Sequence, residues 1–385
     1  MRDNPDLPFG TDEYRNRLGR VLDAMGREGL DGLMIHSPEN IYYLTGYHSV
    51  GYFTYSALVL SVSGGATMVI RALMEKMVEA TSWVEDIQAW SDLQDPVSTT
   101  REALEHQGLL GKAVGYDAQA WFYNIGHHQA LSSLCGSTTF KDAVGLVEEA
   151  RKVKSPREVE YIRRAVKTCE AAIKGAIEAI AEGATENDVA AAAYYNSIKA
   201  GSEYLGHAML IATGRRAGLG FTTWERAPIQ RGDLVYLEMG GSYKRYNGCL
   251  SRAAALGEPS DMAKRLVEGS REALERAVSA VRPGVTSAEV DRAARDYLAN
   301  QGLSEHFKHR TGYFIGIGFP PDWGEGRIAS INEGDPTVLE PGMVFHLIPD
   351  LRIDGEMGTL YSDTVLVTEG GHEVLSNYPR ELVIK

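Results

Sequence analysis

The chain is organised around residues 231–257, which read RGDLVYLEMGGSYKRYNGCLSRAAALG. The Gly-Asp pair near its start favours a turn, and residues 234–237 form a short apolar run typical of an interior strand. A second turn, in the YLEMGG segment, and a second strand follow. Glu238 comes directly after the apolar run. Because a buried carboxylate is costly unless it is paired, hydrogen-bonded or protonated, we expect Glu238 to have partners elsewhere in the chain.

Length and composition describe a globular chain of two domains. Its 385 residues exceed one ordinary hydrophobic core, and 44% of them are hydrophobic and 24% charged. The formal net charge of -13 argues against a nucleic-acid partner. No apolar run is long enough to span a membrane. The three cysteines, Cys135, Cys169 and Cys249, show no Cys-x-x-Cys spacing, so we expect a cytoplasmic protein without disulfides.

Helical and strand-like segments alternate through the first part of the chain, up to about residue 142. Residues 154–158, KSPRE, then predict the start of a helix, with Ser155 as the cap, Pro156 in the first turn and Glu158 completing a capping box. We therefore place a domain boundary near residue 150. The prediction is an α/β domain at residues 1–150 and a second domain at residues 151–385.

The second domain contains an internal repeat. Residues 179–201 align without a gap with residues 280–302, and both carry G-x-T-x-x-acid-V before an alanine-bearing helix face. Residues 232–238 likewise match residues 342–348. Two matches in the same order indicate a duplicated unit. We expect the two copies to face each other across a cleft, with Glu238 and Ile348 in equivalent places.

Five motifs, in chain order, resemble the creatinase and aminopeptidase P superfamily, also called M24: KSPRE, GDLVYLE, HRTGYFIGIG, LEPGMVFHLIP and YSDTVLVTEGG. The resemblance implies an α/β protein with an α+β pita-bread C-terminal domain, built around an internal pseudo-twofold repeat. It also implies a smaller α/β creatinase-like domain at the N-terminus.

The peptidases of that superfamily bind two metal ions through five residues. By the resemblance, those positions are occupied here by Glu238, Cys249, Tyr313, Ile348 and Ser362. An isoleucine cannot bind a metal, and tyrosine and serine are poor ligands for the divalent ions concerned. We therefore expect no metal and no cofactor, and a metal-dependent Xaa-Pro peptidase is disfavoured.

The chain looks most similar to the metal-independent branch that includes creatinase and ectoine hydrolase. The YLEMGG segment with its glutamate, FPPDWGEG at residues 319–326 and the ending YPRELVIK resemble the ectoine hydrolase group. A carboxylate expected at Cys249 and a histidine expected near Phe221 are absent. The resemblance implies metal-independent hydrolysis of a C–N bond in a small cyclic amidine, amide or ureide. Glu238 would act as nucleophile or general base.

Three further residues are candidates for catalysis. His309 begins a motif in which the relatives keep a pocket histidine, and Tyr313 would donate a hydrogen bond to a developing oxyanion. Cys249 would need a neighbour such as His309 to become a thiolate. Each of the three also has a purely structural interpretation as a packed core residue.

Six more residues are predicted to line the substrate pocket: Tyr52, Phe221, Trp224, Trp323, His346 and Tyr361. The resemblance places Tyr52 where an aromatic residue enters the pocket of a partner subunit, so we expect a homodimer with a shared pocket and a small-molecule substrate. Two alternatives stay open: a cysteine-assisted amidase that uses Cys249, and a non-catalytic binding protein. A polar, tyrosine-rich pocket favours the enzyme, and an apolar pocket floor favours the binding protein.

Overall fold

The computed structural model describes residues 1, 4 and 6–385. These residues divide into two compact units, Met1–Arg151 and Lys152–Lys385. None of the helices in the described part of the chain is both long and apolar enough to cross a membrane.

The N-terminal unit is a sheet of six strands with helices packed against it. Its helices are α1 Thr11–Arg27, α2 Pro38–Thr45, α3 Glu75–Thr81, α4 Pro96–His106, α5 Ile125–Leu134 and α6 Leu146–Lys152. Its strands are β1 Gly32–Ile35, β2 Ala57–Ser61, β3 Ala66–Arg71, β4 Asp86–Trp90, β5 Ala113–Tyr116 and β6 Thr139–Asp142. The strand order is β4-β3-β2-β1-β5-β6, with β1–β2 and β2–β3 antiparallel and the other pairs parallel. This layout confirms the predicted α/β fold of the N-terminal domain.

The C-terminal unit combines four long helices with sheets whose strands pair antiparallel, apart from one short edge strand that pairs in parallel. Its helices are α7 Pro156–Ala179, α8 Glu186–Lys199, α9 Asp261–Ala280 and α10 Ser287–Asn300. The first sheet has the order β17-β9-β8-β7, formed by Val383–Ile384, Tyr246–Ala255, Leu234–Tyr243 and Leu210–Thr213. The second has the order β11-β10-β12-β15-β16, formed by Ser330–Ile331, Gly312–Phe314, Val344–Leu347, Asp363–Thr368 and Gly371–Val374. A separate pair is formed by β13 Asp350–Ile353 and β14 Met357–Leu360.

The duplication predicted from the sequence is visible in the second helix of each copy. Helices α8 and α10 both have 14 residues, and both begin at capping boxes, Thr185 with Asp188 and Thr286 with Glu289. Each capping threonine also forms an isolated antiparallel bridge to a distant segment. The pair α7–α8 covers one apolar cluster, and the pair α9–α10 covers another. These features fit the expected pseudo-twofold pita-bread fold.

Strands β8 and β9 form one antiparallel hairpin with ten residue pairs, longer than the sequence suggested. The turn lies at Lys244 and Arg245 rather than in the YLEMGG segment. Both residues have positive φ, +49° and +60°, as a two-residue type I′ turn requires. This backbone is unfavourable for residues other than glycine. The carboxylate of Glu203 stabilises it by accepting hydrogen bonds from both backbone N–H groups, at 3.0 and 3.2 Å.

Paired glycines in the hairpin explain how α7 packs directly on its backbone. Gly241 lies opposite Gly248 in the register. A Cβ atom on Gly241 would lie 2.1 Å from Oγ1 of Thr168 and 2.3 Å from the carbonyl oxygen of Ala165. A Cβ atom on Gly248 would lie 2.6 Å from a methyl group of Val166. The glycines therefore serve close packing inside a strand and not a turn.

Replacing Gly241 with alanine should lower the free energy of unfolding by about 1–3 kcal/mol, because helix backbone would have to move to admit the new methyl group. Gly220 is the matched control, since nothing lies within 4 Å of the position of its added Cβ. Gly220→Ala should change stability by less than about 0.5 kcal/mol. Urea unfolding followed by circular dichroism measures both changes, and equal stabilities for the two variants would contradict the packing argument.

Candidate active site

The candidate site lies on one face of the β8–β9 hairpin. Odd-numbered residues of β8 pack in the apolar cluster beneath α7 and α8, so its even-numbered residues, including Glu238 and Gly240, face the opposite side. On β9, Cys249 pairs with Gly240 and Ser251 pairs with Glu238. Glu238 and Cys249 therefore share a face as diagonal neighbours. They do not stand directly opposite each other, because the register pairs Cys249 with Gly240.

Glu238 has the hydrogen-bond partner that its sequence position demanded. Its carboxylate is 4% exposed, and Oε2 accepts a hydrogen bond from the hydroxyl of Tyr236 at 3.0 Å. That hydroxyl accepts one from Nη2 of Arg352 at 2.8 Å. Nε of Arg352 donates to Asp350 at 2.8 Å. Sequence reasoning missed all three partners, although Tyr236 stands two residues before Glu238 and so had to share its face.

The carboxyl of Glu238 is poised to change protonation near neutral pH. Burial raises its pKa to about 7, and the charge of Asp350 acts in the same direction. The hydrogen bond from Tyr236 and the charge of Arg352 oppose this rise. Burial also raises the pKa of Asp350. A carboxyl group with a pKa near the working pH suits general acid–base catalysis.

A second polar chain joins Tyr313 on β10 and His346 on β12 to Trp323 and to Ser362, which directly precedes β15. Nε1 of Trp323 donates to the hydroxyl of Tyr313 at 3.0 Å, and that hydroxyl lies 2.9 Å from Nδ1 of His346. Nε2 of His346 lies 2.6 Å from Oγ of Ser362. Burial lowers the pKa of His346 to about 3, so the ring is neutral. Trp323, Tyr313 and His346 were predicted separately, and the structure brings them into one hydrogen-bonded chain.

Trp323 reaches Tyr313 because β8 carries a glycine beneath it. A Cβ atom on Gly240 would lie 2.5 Å from the indole ring of Trp323. The ring of His207, which sequence reasoning did not select, lies 4.9 Å from that of Trp323. Beyond His207 lies a cavity of about 750 Å³. Its lining includes Tyr194, Ile198, Tyr204, Met209, Pro320 and Pro321.

Cys249 is buried, and Oγ1 of Thr364 binds its backbone. This hydroxyl accepts from the N–H of Cys249 at 3.0 Å and donates to its carbonyl at 2.9 Å. Burial raises the pKa of the thiol well above its usual value, and nearby Cys169 and Glu238 add to the rise. The thiol is therefore protonated at neutral pH and is a poor nucleophile.

His309 is not arranged to activate that thiol. Its Nδ1 donates to the carbonyl of Arg310 at 2.7 Å, and burial lowers the pKa of the ring. The charges that act on it include those of Asp350 and Arg352. Within the described residues, no hydrogen bond joins His309 to Cys249. His309 is thus within electrostatic range of Asp350 and Arg352 and also of His346.

Two predicted lining residues pack against the apolar clusters. Tyr361 is fully buried in the apolar cluster covered by α9 and α10. Trp224 packs against the cluster covered by α7 and α8, with its ring edge-to-face on Tyr194 at 5.5 Å. Both were selected as aromatic residues near site motifs, and an aromatic side chain in such a place fills a core equally well.

For Phe221 and Tyr52, a role in lining the substrate pocket remains a prediction. Phe221 lies in a loop and is 79% exposed, with its ring 6.4 Å from that of His207. Tyr52 belongs to the N-terminal unit, where its ring lies 5.6 Å from that of Phe122 and 5.9 Å from that of Phe53.

The fold and the site together define a two-domain hydrolase of the pita-bread type. The chain belongs to metallopeptidase family M24: the family model matches residues 160–369, and the model of the creatinase/prolidase N-terminal domain matches residues 17–153. Hydrolases of this family are its relatives by sequence and by structure.

Among curated proteins, the chain is 30% identical to the ectoine hydrolase of Halomonas elongata, over 98% of this chain and 99% of that protein. It is 28% identical to the Xaa-Pro dipeptidase of Pyrococcus horikoshii, over 97% of this chain and all of that protein. Among solved structures, dipeptidase PepE from Mycobacterium ulcerans superposes with a TM-score of 0.84 at 28% identity, covering 98% of this chain and 99% of that one. The prolidase from Thermococcus sibiricus gives a TM-score of 0.87 at 25% identity, covering 98% and 100%.

The donor atoms at the family's metal positions do not fit a pair of divalent ions. Ile348 offers no donor, and the hydroxyls of Tyr313 and Ser362 are engaged with His346. Cys249 offers a single sulfur in place of a carboxylate. Across residues 1, 4 and 6–385, no group of three or more His, Cys, Asp or Glu side chains is arranged to hold a metal ion. Only Glu238 retains the carboxylate chemistry of the peptidase site.

Alkylation should distinguish a buried thiol from a reactive one. Because Cys135, Cys169 and Cys249 are all buried, we expect iodoacetamide at mildly alkaline pH to leave the native protein unlabelled. The same reagent should modify all three cysteines after unfolding in urea, as counted by mass spectrometry. Rapid labelling of the native protein that disappears in Cys249→Ala would show an activated thiol and would support the cysteine-assisted amidase.

Proposed function

We propose that this protein is a metal-independent hydrolase of a non-peptide C–N bond in a small polar compound, such as a cyclic amidine, an amide or a ureide. The observation that carries the proposal is the buried carboxyl of Glu238. It stands at the first metal position of the family without the accompanying metal ligands, and it has a pKa of about 7. Similarity to ectoine hydrolase over nearly the whole chain supports the same class of reaction.

Glu238 acts in the proposed reaction through its carboxylate form. As a base, it takes a proton from water while the water oxygen bonds to the electrophilic carbon. The C–N bond then breaks, and the departing nitrogen takes up that proton. As a nucleophile, Glu238 would bond to the carbon itself while the departing nitrogen takes a proton from a water molecule, and the hydroxide so formed would then hydrolyse the resulting anhydride. Both routes consume one water molecule for each bond that is broken.

Tyr313 is the proposed donor to the oxygen or nitrogen on which negative charge develops. Burial raises its pKa well above the usual value, so the hydroxyl keeps its proton and can donate a hydrogen bond. His346 and Trp323 hold this hydroxyl in place. His309, within electrostatic range of Asp350 and Arg352, is the proposed contact for a polar group of the substrate.

The competing functions have weaker support. A metal-dependent Xaa-Pro peptidase agrees with the named dipeptidase relatives, but its ligand set is absent at Ile348 and Ser362. A cysteine-assisted amidase conflicts with the raised pKa of the Cys249 thiol. A binding protein without activity would have no need to bury an acidic group whose pKa lies near neutrality.

The test uses purified protein, dialysed against a chelator, and a panel of cyclic amidines, ureides and N-acyl amino acids, with Xaa-Pro dipeptides as the competing class. We expect turnover of a non-peptide substrate that chelation does not reduce. Glu238→Gln should lower kcat by a factor of about 10² or more, because it removes the base or nucleophile while keeping the shape. Cys249→Ala should keep most of the activity, at a packing cost of about 1 kcal/mol.

Three results would overturn the proposal. One is stoichiometric zinc, manganese or cobalt in the purified protein, with activity that is lost on chelation. The second is cleavage of Xaa-Pro dipeptides alone. The third is an inactive Cys249→Ala together with an active Glu238→Gln, which would transfer the chemistry to the thiol.

We also propose a homodimer in which Tyr52 of one subunit reaches the pocket of its partner. The match to the creatinase/prolidase N-terminal domain supports this, as does the position of Tyr52 in the loop between α2 and β2. Tyr52→Ala should raise KM severalfold without changing the sedimentation coefficient of the dimer. Leu93→Ala, which alters a 98% exposed side chain of the same unit, is the control and should leave KM unchanged. A fully active monomer would contradict the shared pocket.

A further inference from the structure

In the part of the chain that the structure describes, the hydroxyl of Tyr236 has one hydrogen-bond acceptor available for its hydrogen. A guanidinium group only donates, so the Tyr236 oxygen accepts the hydrogen bond from Nη2 of Arg352 at 2.8 Å. The single hydroxyl hydrogen is then left for Oε2 of Glu238 at 3.0 Å. The other carboxylate oxygen, Oε1, has no hydrogen-bond partner among the described residues. The two oxygens of Glu238 are therefore not equivalent.

We propose that Tyr236, oriented by Arg352, is a positioning residue that keeps Oε2 of Glu238 as a permanent acceptor and leaves Oε1 as the reacting oxygen. The inference rests on the proposed function of Glu238 and adds to it which atom acts and which residues select that atom. Neither Tyr236 nor Arg352 is one of the residues that stand at the family's metal positions.

Arg352 is held firmly enough to impose this orientation. Its Nε donates to Asp350 at 2.8 Å, and its Nη1 donates to the carbonyl oxygens of Ala217 at 2.7 Å and Leu219 at 2.5 Å. Its guanidinium carbon also lies 4.7 Å from the centre of the Tyr236 ring. These four contacts fix the plane of the guanidinium group in the orientation that presents Nη2 to the hydroxyl.

The hydrogen bond from Tyr236 also controls when Oε1 is available. A hydrogen bond donated to a carboxylate stabilises its charged form, and it lowers the pKa of Glu238 below the value that burial alone would produce. Removing the hydroxyl therefore raises that pKa. The other ionisable groups that face Glu238 are Asp350 and Arg352 on β13, Cys249 on β9 and Tyr313 on β10. Cys249 and Tyr313 both have raised pKa values and stay neutral across the range concerned.

The experiment is an infrared titration of the full-length protein, which requires no substrate. The C=O band of protonated Glu238 is identified as the band that Glu238→Gln removes, which separates it from the band of Asp350. In the unmodified protein its midpoint should lie near pH 7. In Tyr236→Phe the midpoint should move upward by about one pH unit, since one hydrogen bond to the charged form is lost.

The matched control is Tyr246→Phe in the same hairpin. Tyr246 is also buried, and its hydroxyl donates to another buried carboxylate, that of Glu158, at 2.7 Å. This variant loses an equivalent hydrogen bond away from the site and should leave the Glu238 midpoint unchanged. If Tyr236→Phe does not fold, Arg352→Lys replaces it, and a smaller upward shift is expected because the hydroxyl is no longer constrained.

Kinetics provide the second measurement, on the substrate found in the screen. In Tyr236→Phe the acidic limb of kcat/KM should move to higher pH by about one unit, with a roughly tenfold loss well below the limb and little change on the plateau. A purely structural role would lower the plateau and leave the limb in place. An unchanged or lowered infrared midpoint in Tyr236→Phe, or an equal shift in Tyr246→Phe, would overturn the inference. An active Glu238→Gln would instead overturn the proposed function, and the infrared result would still report on the hydrogen bond.

Discussion

The pairing of β8 with β9 over ten residues is the constraint on which the site depends. Successive side chains of a strand point to opposite faces, so this register places the acidic residue on one face and its apolar neighbours beneath α7 and α8 on the other. A slip of one residue would move Glu238 into that apolar cluster. Glycines allow close packing on both faces of the hairpin. Gly241 leaves room for the backbone of α7 on one face, and Gly240 leaves room for the ring of Trp323 on the other.

Buried and hydrogen-bonded polar side chains are the second feature of the site. The described residues form two hydrogen-bonded chains. One runs from Arg352 through Tyr236 to Glu238, and the other runs from Trp323 through Tyr313 to His346. The first chain satisfies one oxygen of a costly carboxylate, and the second satisfies both nitrogens of a neutral imidazole together with Ser362. Such networks are rigid when they are complete. The family scaffold is thus retained, and two hydrogen-bonded chains occupy the candidate site at its centre.

Local signals in the sequence were reliable where neighbouring residues satisfy one another. The KSPRE segment predicted a capping box, and Ser155 and Glu158 form it at the start of α7. The repeated G-x-T-x-x-acid pattern predicted equivalent helices, and α8 and α10 begin at equivalent capping threonines. The hairpin turn was misplaced because its two positive-φ residues are not glycines. They depend on Glu203, about forty positions earlier in the chain, and no local pattern marks that residue as their partner.

The sequence by itself determined the family and the duplicated pita-bread architecture, since its motifs resemble those of the family and its repeated segments align without gaps. It also identified Glu238, because a carboxylate after an apolar strand requires a partner wherever that partner lies. Only the tertiary structure decided which residues form the hydrogen-bonded chain that ends at Glu238. Tyr236 shares the strand of Glu238, but Arg352 comes from 116 positions away and reaches the tyrosine hydroxyl through the fold. The same holds for aromatic residues: Trp323 and Tyr361 look alike in the sequence, yet one packs on Gly240 beside the site and the other fills the core. Burial and hydrogen bonding are properties of neighbours in space, and the spacing of residues along the chain does not specify them.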